Sequence, residues 1–122
     1  VLLPGCSFFL GIEYADAKIL LSNEIPFAIA SDYNPGSSPS GNMNFILSLA
    51  CNKLKLTTEQ AINAATINGA YAMGLSHKTG SITKGKIANI IITSEIESIN
   101  DLPYFYGDNL VDKILINGEE II

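Results

Sequence analysis

The chain has 122 residues, enough for one domain of ordinary size, and its 48% hydrophobic content suits a globular fold and excludes disorder. Its 12 acidic residues stand against 7 lysines and no arginine, a formal charge of -5, so neither nucleic acid nor an anionic membrane surface is an expected partner. No signal peptide is visible, and no apolar run approaches the roughly 18–20 residues of a membrane span.

Residues 1–4 are an apolar run ending in Pro-Gly, which predicts a short buried strand and a turn, with residues 6–11 as a loop that packs aromatics. The chain opens at Val1 inside that run rather than at Met, so a truncated or processed start is expected. A helix is predicted over residues 14–22, with Ala15, Ile19 and Ser22 on one side, and Pro26 lies beyond its end. Residues 27–31 read as a second strand, and the order strand, helix, strand predicts a parallel βαβ unit.

The stretch 32–41 is too rich in Pro, Gly and Ser for a regular element. Apolar spacing at Met43, Ile46, Leu47, Ala50 and Leu54 predicts a helix over residues 42–53. Thr57, with Gln60 three positions on, predicts a capping box at the start of the next helix, whose apolar face holds Ala61, Ile62 and Ala65. Asn68-Gly69 is expected to divide it from residues 70–73, with Gly74 as the C′ glycine.

Beyond Gly80 the pattern turns to β. Strands are predicted over residues 87–93 and 110–116, with 95–106 irregular between them. Asn117-Gly118 is a hairpin signal, and 119–122 is the return strand. Three short strands leave open edges and little core, so they are expected to complete a sheet begun elsewhere.

Asp32 is the first chemical candidate. A carboxylate at the carboxyl end of a buried strand, opening into a Gly/Ser/Asn loop, is the layout of a barrel-type active site, where it can ligate a metal and take a proton from water. The competing reading is an N-cap or Asx-turn. Asn34, Gly36 and Ser37 could offer an amide, a backbone N–H and a hydroxyl to a substrate carboxylate or carbonyl. His77, the only histidine, follows a helix end and has no partners at ligand spacing, so it reads as a surface residue. Ser37 and Ser38 lack a nearby His/Asp pair and a G-x-S-x-G elbow. The run from Gly80 to Lys86 is no phosphate loop, because a strand follows where a helix is required. Cys6 and Cys51 show no zinc or redox spacing and read as reduced, structural thiols.

The stretch Ala30-Ser31-Asp32-Tyr33-Asn34-Pro35-Gly36-Ser37-Ser38-Pro39 closely resembles the strand-eight motif of imidazolonepropionases, members of the metal-dependent amidohydrolase superfamily. Leu2-Leu3-Pro4-Gly5 resembles the preceding barrel strand, and Asn42-Met43 through Leu49-Ala50-Cys51 the helix after the motif. Thr58-Glu59-Gln60-Ala61, Thr66-Ile67-Asn68-Gly69-Ala70 and Leu102-Pro103-Tyr104-Phe105-Tyr106-Gly107 continue the likeness. Gly80-Ser81-Ile82, Gly85-Lys86 and Ala88 match a signature that many amidohydrolases share, and Asn89 stands where that signature usually has an acidic residue.

The resemblance implies an α/β fold: the carboxyl-terminal portion of a TIM-type (β/α)8 barrel over residues 1–78, followed over 79–122 by a few strands of a small composite β-sandwich domain. It implies that the complete protein hydrolyses the cyclic amide 4-imidazolone-5-propionate to N-formimino-L-glutamate in histidine degradation, by a metal-activated water. One zinc or iron ion would be held by Asp32 and by histidines on earlier strands, with Asn34, Gly36 and Ser37 as substrate contacts. A cytoplasmic location and a homodimer are expected of the complete protein. Those histidines are absent here, and such a barrel takes about 250 residues, so the 122-residue chain alone is expected to be inactive. The rival readings are another amidohydrolase, dihydroorotase-like or aminoacylase-like, and a non-catalytic module that binds a small acid or assembles with other chains.

Overall fold

A computed structural model describes all 122 residues. Six helices precede, interrupt and brace a small sheet: α1 (Pro4–Leu10), α2 (Ala17–Ser22), α3 (Met43–Asn52), α4 (Thr58–Ala65), α5 (Ile67–Ala72), β1 (Ile90–Thr93), α6 (Asp101–Tyr104), β2 (Val111–Ile116) and β3 (Glu119–Glu120). None of the helices is long and apolar enough to cross a membrane.

The amino-terminal segment differs from expectation. Residues 6–11 are not a loop but most of α1, which starts at Pro4. Proline suits the first helical position, because the N–H it lacks has no intrahelical acceptor there. Gly11, at φ +66, closes the helix in the left-handed conformation that glycine adopts without strain. Instead of two strands, one parallel bridge joins Leu2 to Ile29. Leu2 N–H donates to Ala28 O at 2.7 Å, and Ala30 N–H donates to Leu2 O at 3.2 Å. On its other side, Ile29 N–H donates to Ala64 O at 3.1 Å and Asn68 Nδ2 donates to Phe27 O at 2.8 Å. Helical groups thus occupy the opposite edge of residues 27–31, and on the Leu2 edge the pairing stops where α1 starts at Pro4, although the parallel direction is as predicted.

Helix α2 begins later than predicted, because Asp16 caps it by accepting from Lys18 N–H at 2.9 Å. Helix α3 matches its prediction, with Asn42 as cap, and packs against α1, α4 and α6. The core is Ala17, Ile29, Ile46, Leu47, Ala50, Leu54, Leu56, Ala61 and Ala64. Ala50 and Ala61 are wholly buried, and their small side chains let helices α3 and α4 approach closely.

The capping box at α4 is present in both halves. Gln60 N–H donates to Thr57 Oγ1 at 3.2 Å, and Thr57 N–H donates to Gln60 Oε1 at 3.0 Å. A backbone N–H at Glu59 and the Thr57 hydroxyl hold the Glu59 carboxyl below its ordinary range. A carboxyl so depressed contributes stability above its unfolded-state pKa and loses it as pH falls through the folded one. Thr57→Ala is expected to cost about 1 kcal/mol in urea unfolding at neutral pH, with a smaller cost in acid where Glu59 is protonated. An equal cost at both pH values would show that Glu59 takes no stabilisation from the Thr57 hydroxyl.

The break after α4 falls at Thr66, not at Asn68-Gly69, which lie inside α5. Thr66 leaves the helical conformation at φ -113 and ψ -85, while the Asn68 side chain is held by Phe27 O and so cannot compete for its own backbone. Gly74, at φ +71, ends α5 as predicted. The three strands run antiparallel in the order β1-β2-β3. Asn117 and Gly118 take φ 54 and 85, as a type I′ hairpin turn requires. Strand β1 starts at Ile90, later than predicted, because Ala88 and Asn89 bind that turn: Gly118 N–H donates to Ala88 O at 3.0 Å and Asn117 N–H to Asn89 Oδ1 at 2.9 Å. A neutral amide oxygen accepts this bond as a carboxylate would.

Only 18 of the 122 residues are buried, so many large apolar side chains, among them Val1, Ile19 and Ile91, remain at the surface.

Candidate active site

Asp32 follows the Leu2–Ile29 bridge by three residues and takes φ +51, in the left-handed region. Such a conformation costs about 1 kcal/mol for most side chains, and Asp and Asn tolerate it best. Its carboxylate is half-buried and takes part in no hydrogen bond or ion pair within the chain. The Asx-turn reading therefore does not hold for Asp32, because a turn-forming carboxylate would be bonded to nearby backbone.

Asn34 is the residue that organises the loop. Its Oδ1 accepts from the N–H groups of Gly36 and Ser37, both at 2.9 Å. Its Nδ2 donates to Asp32 O at 2.6 Å and to Ser37 Oγ at 3.0 Å. A reciprocal backbone pair, Asn34 N–H to Ser38 O at 2.9 Å and Ser38 N–H to Asn34 O at 3.3 Å, closes the loop. The Gly36 N–H and the Asn34 amide are thus engaged within the loop. Ser37 Oγ accepts from Asn34 Nδ2 and lies 3.2 Å from Asn34 Oδ1, to which it donates, so its hydroxyl too is engaged within the loop.

Sequence reasoning gave no role to Ser38. It is 3% exposed and donates from Oγ to Ser31 O at 2.6 Å. The first turn of α1 covers that bond: a Cβ on Gly5 would lie 3.0 Å from Ser38 Oγ and 2.8 Å from Ile46 Cδ1. The signal available in sequence was a hydroxyl directly after the motif's Ser37, and it does not say which of the two faces inward.

Phe8 of α1 meets Phe45 of α3 edge-on at 5.1 Å, and Phe45 meets Tyr106 at 5.6 Å. Asn42 Nδ2 donates to Tyr106 O at 3.2 Å, and Thr58 Oγ1 donates to Asn100 Oδ1 at 2.6 Å. The segment expected to be irregular between β1 and β2 is thereby bound to α3 and α4, and it forms α6. Burial pushes the thiol of the free Cys51 upward, which disfavours its thiolate. His77 is exposed, as expected.

No three His, Cys, Asp or Glu side chains come together anywhere in the chain. Asp32 suits one position in a metal's ligand set, and this chain supplies no others. A cleft of about 1010 Å³ lies between α3, α4, α5 and the sheet and includes Leu47, Ile67, Met73, Ile82 and Ile90. None of Asp32, Asn34, Gly36 or Ser37 lines it.

The amidohydrolase family model matches residues 7–121, and the chain belongs to that family. Within it, the chain is 60% identical over 121 residues to the imidazolonepropionase of Christiangramia forsetii, 58% identical to that of Flavobacterium johnsoniae and 41% identical to that of Geobacillus thermodenitrificans. The first two matches take in 99% of this chain and 29% of each relative. The chain thus spans under a third of the length of the curated relatives it matches. Among solved structures, E. coli guanine deaminase superposes with a TM-score of 0.79 at 18% identity, covering 98% of this chain and 33% of that one. An adenosine deaminase from Xanthomonas campestris superposes at 0.85 with 23% identity, covering 97% and 30%. Likeness at this level of identity establishes the amidohydrolase fold.

Proposed function

We propose that this chain is the carboxyl-terminal part of an imidazolonepropionase, which hydrolyses 4-imidazolone-5-propionate to N-formimino-L-glutamate. The observation that carries the reading is the Asp32 carboxylate: it is free of partners, held in a left-handed turn, and set in a loop whose hydrogen bonds Asn34 organises. The identity to imidazolonepropionases over 99% of the chain supports the choice of substrate. Residues 1–78 form the last part of the barrel and 79–122 part of a small β domain, and the rest of a longer protein covers the apolar surface left here. The complete protein acts in the cytoplasm, as a homodimer.

Asp32 is one ligand of a zinc or iron ion, with the others supplied from outside this chain. That ion, when bound, supplies the Lewis acidity that activates an amide carbonyl and water. The Asp32 carboxylate oxygens accept the proton released when water adds to the ring carbonyl, and return it to the departing ring nitrogen. Ser37 turns its hydroxyl hydrogen from Asn34 Oδ1 to the substrate's propionate. That carboxylate competes with Asn34 Oδ1 for the Gly36 and Ser37 N–H groups, and the freed amide of Asn34 turns to the substrate. These contacts hold the ring carbonyl in register for attack.

The complete, metal-loaded protein should convert imidazolone propionate to N-formimino-L-glutamate, followed as product formed. Absence of conversion by a folded, metal-loaded protein would remove the reading. The 122-residue chain alone should keep no stoichiometric zinc after dialysis and show no turnover. Stoichiometric zinc with turnover would show that the ligand set is complete without further residues.

A further inference from the structure

We infer that Ser38 is a positioning residue for Asp32, an assignment that rests on the reading of Asp32 as the site's carboxylate. The peptide groups on the two sides of Asp32 are both held through their carbonyl oxygens. Ser38 Oγ donates to Ser31 O at 2.6 Å, and Asn34 Nδ2 donates to Asp32 O at 2.6 Å. With both carbonyls fixed, the φ and ψ of Asp32 have little freedom, and the left-handed turn at φ +51 persists although it is strained for a side chain. The direction of the Cα–Cβ bond, and so the place of the carboxylate, follows from that turn.

The two clamps differ in their surroundings. Asn34 is half-buried and its amide also faces Ser37, so a substrate can draw it away. Ser38 is 3% exposed and lies beneath Gly5 and Ile46. The donor is withdrawn from water while Ser31 is half-buried, and a hydrogen bond in such surroundings is stronger than one at the surface. Ser38 also accepts and donates through its backbone to Asn34, which ties the two clamps together. Ser38 therefore keeps Asp32 in place while Asn34 rearranges around a substrate.

The test uses the complete, metal-loaded protein with three substitutions: Asp32→Asn, Ser38→Ala and Ser38→Cys. The readouts are kcat and KM at saturating metal, metal affinity by chelator competition, and the visible spectrum of the cobalt-substituted protein. Removing a group that orients a metal-binding side chain typically costs about 10- to 100-fold in metal affinity or activity. Ser38→Ala is expected to lower kcat and metal affinity by about that factor, leave KM within about twofold, and shift the cobalt spectrum. Ser38→Cys keeps the shape with a weaker donor and should fall between alanine and serine. A purely structural Ser38 would lower the unfolding temperature and leave kcat at saturating metal and the cobalt spectrum unchanged, and that result overturns the assignment. If the alanine protein does not fold, the cysteine protein decides by the same readouts. An active Asp32→Asn protein would instead overturn the reading of the site, and the assignment of Ser38 with it.

Discussion

Asp32→Asn in the complete protein is expected to reduce hydrolysis by about a thousandfold or more, measured as kcat at saturating metal, while the unfolding free energy of the metal-free protein stays within about 0.5 kcal/mol of the parent. The two halves of this expectation have separate causes. Asparagine occupies left-handed backbone as readily as aspartate does, so φ +51 remains accessible and the clamps from Ser38 and Asn34 stay in place. The Asp32 side chain also makes no hydrogen bond that the fold would lose. The amide, however, carries no negative charge and cannot accept a proton from water at neutral pH. Loss of activity with loss of fold would point to a structural Asp32, and retained activity would remove it from the site.

The largest stability effect is expected at Gly80. It takes φ +89, and an added Cβ would lie 2.6 Å from Ala70 Cβ, 3.1 Å from the Ile67 Cα and 3.1 Å from Thr66 O. Two of those three neighbours are backbone atoms of the α4–α5 junction, which cannot swing aside as a long side chain would. Gly80→Ala therefore combines left-handed strain, about 1–2 kcal/mol, with overpacking of about 1–3 kcal/mol. The sum, about 2–5 kcal/mol, is a large part of a typical domain's stability. Gly85 is the control: its φ is +91, but nothing lies within 4 Å of an added Cβ. Gly85→Ala should show the strain alone. Equal shifts of the urea midpoint in the two variants would show that Gly80 does not pack against α5 as described.

Where local chemistry settled the backbone, the residues could be read directly. The Thr57 and Gln60 pair caps α4 reciprocally, and Asn117-Gly118 forms the turn that its positive φ values demand. Both signals act within a few residues, so no distant contact can reverse them cheaply. The period of α3 was legible for the same reason. The first ten residues were not: Pro-Gly reads as a turn, yet proline also opens helices, and here the cover that α1 gives to Ile46 and Ser38 decides for the helix. Likewise, the apolar run 27–31 meets a partner segment that turns into α1 at Pro4 and, on its other edge, two helical groups, Ala64 O and the Asn68 amide, so it forms a bridge and not a ladder.

The candidate site divides in the same way. Sequence alone determined that a carboxylate stands in a Gly/Ser/Asn loop after an apolar run, that the chain lacks the histidines to complete a metal site, and that its motifs are those of imidazolonepropionases. These follow from residue identity and spacing, which folding does not change. Only the tertiary structure decided that Asn34, and not Asp32, makes the Asx-type bonds, and that Ser38 turns inward beneath Gly5 to hold the Ser31 carbonyl. Adjacent serines carry the same chemistry, and which of them is buried depends on what packs over the loop, in this case a helix that precedes it by about two dozen residues of chain.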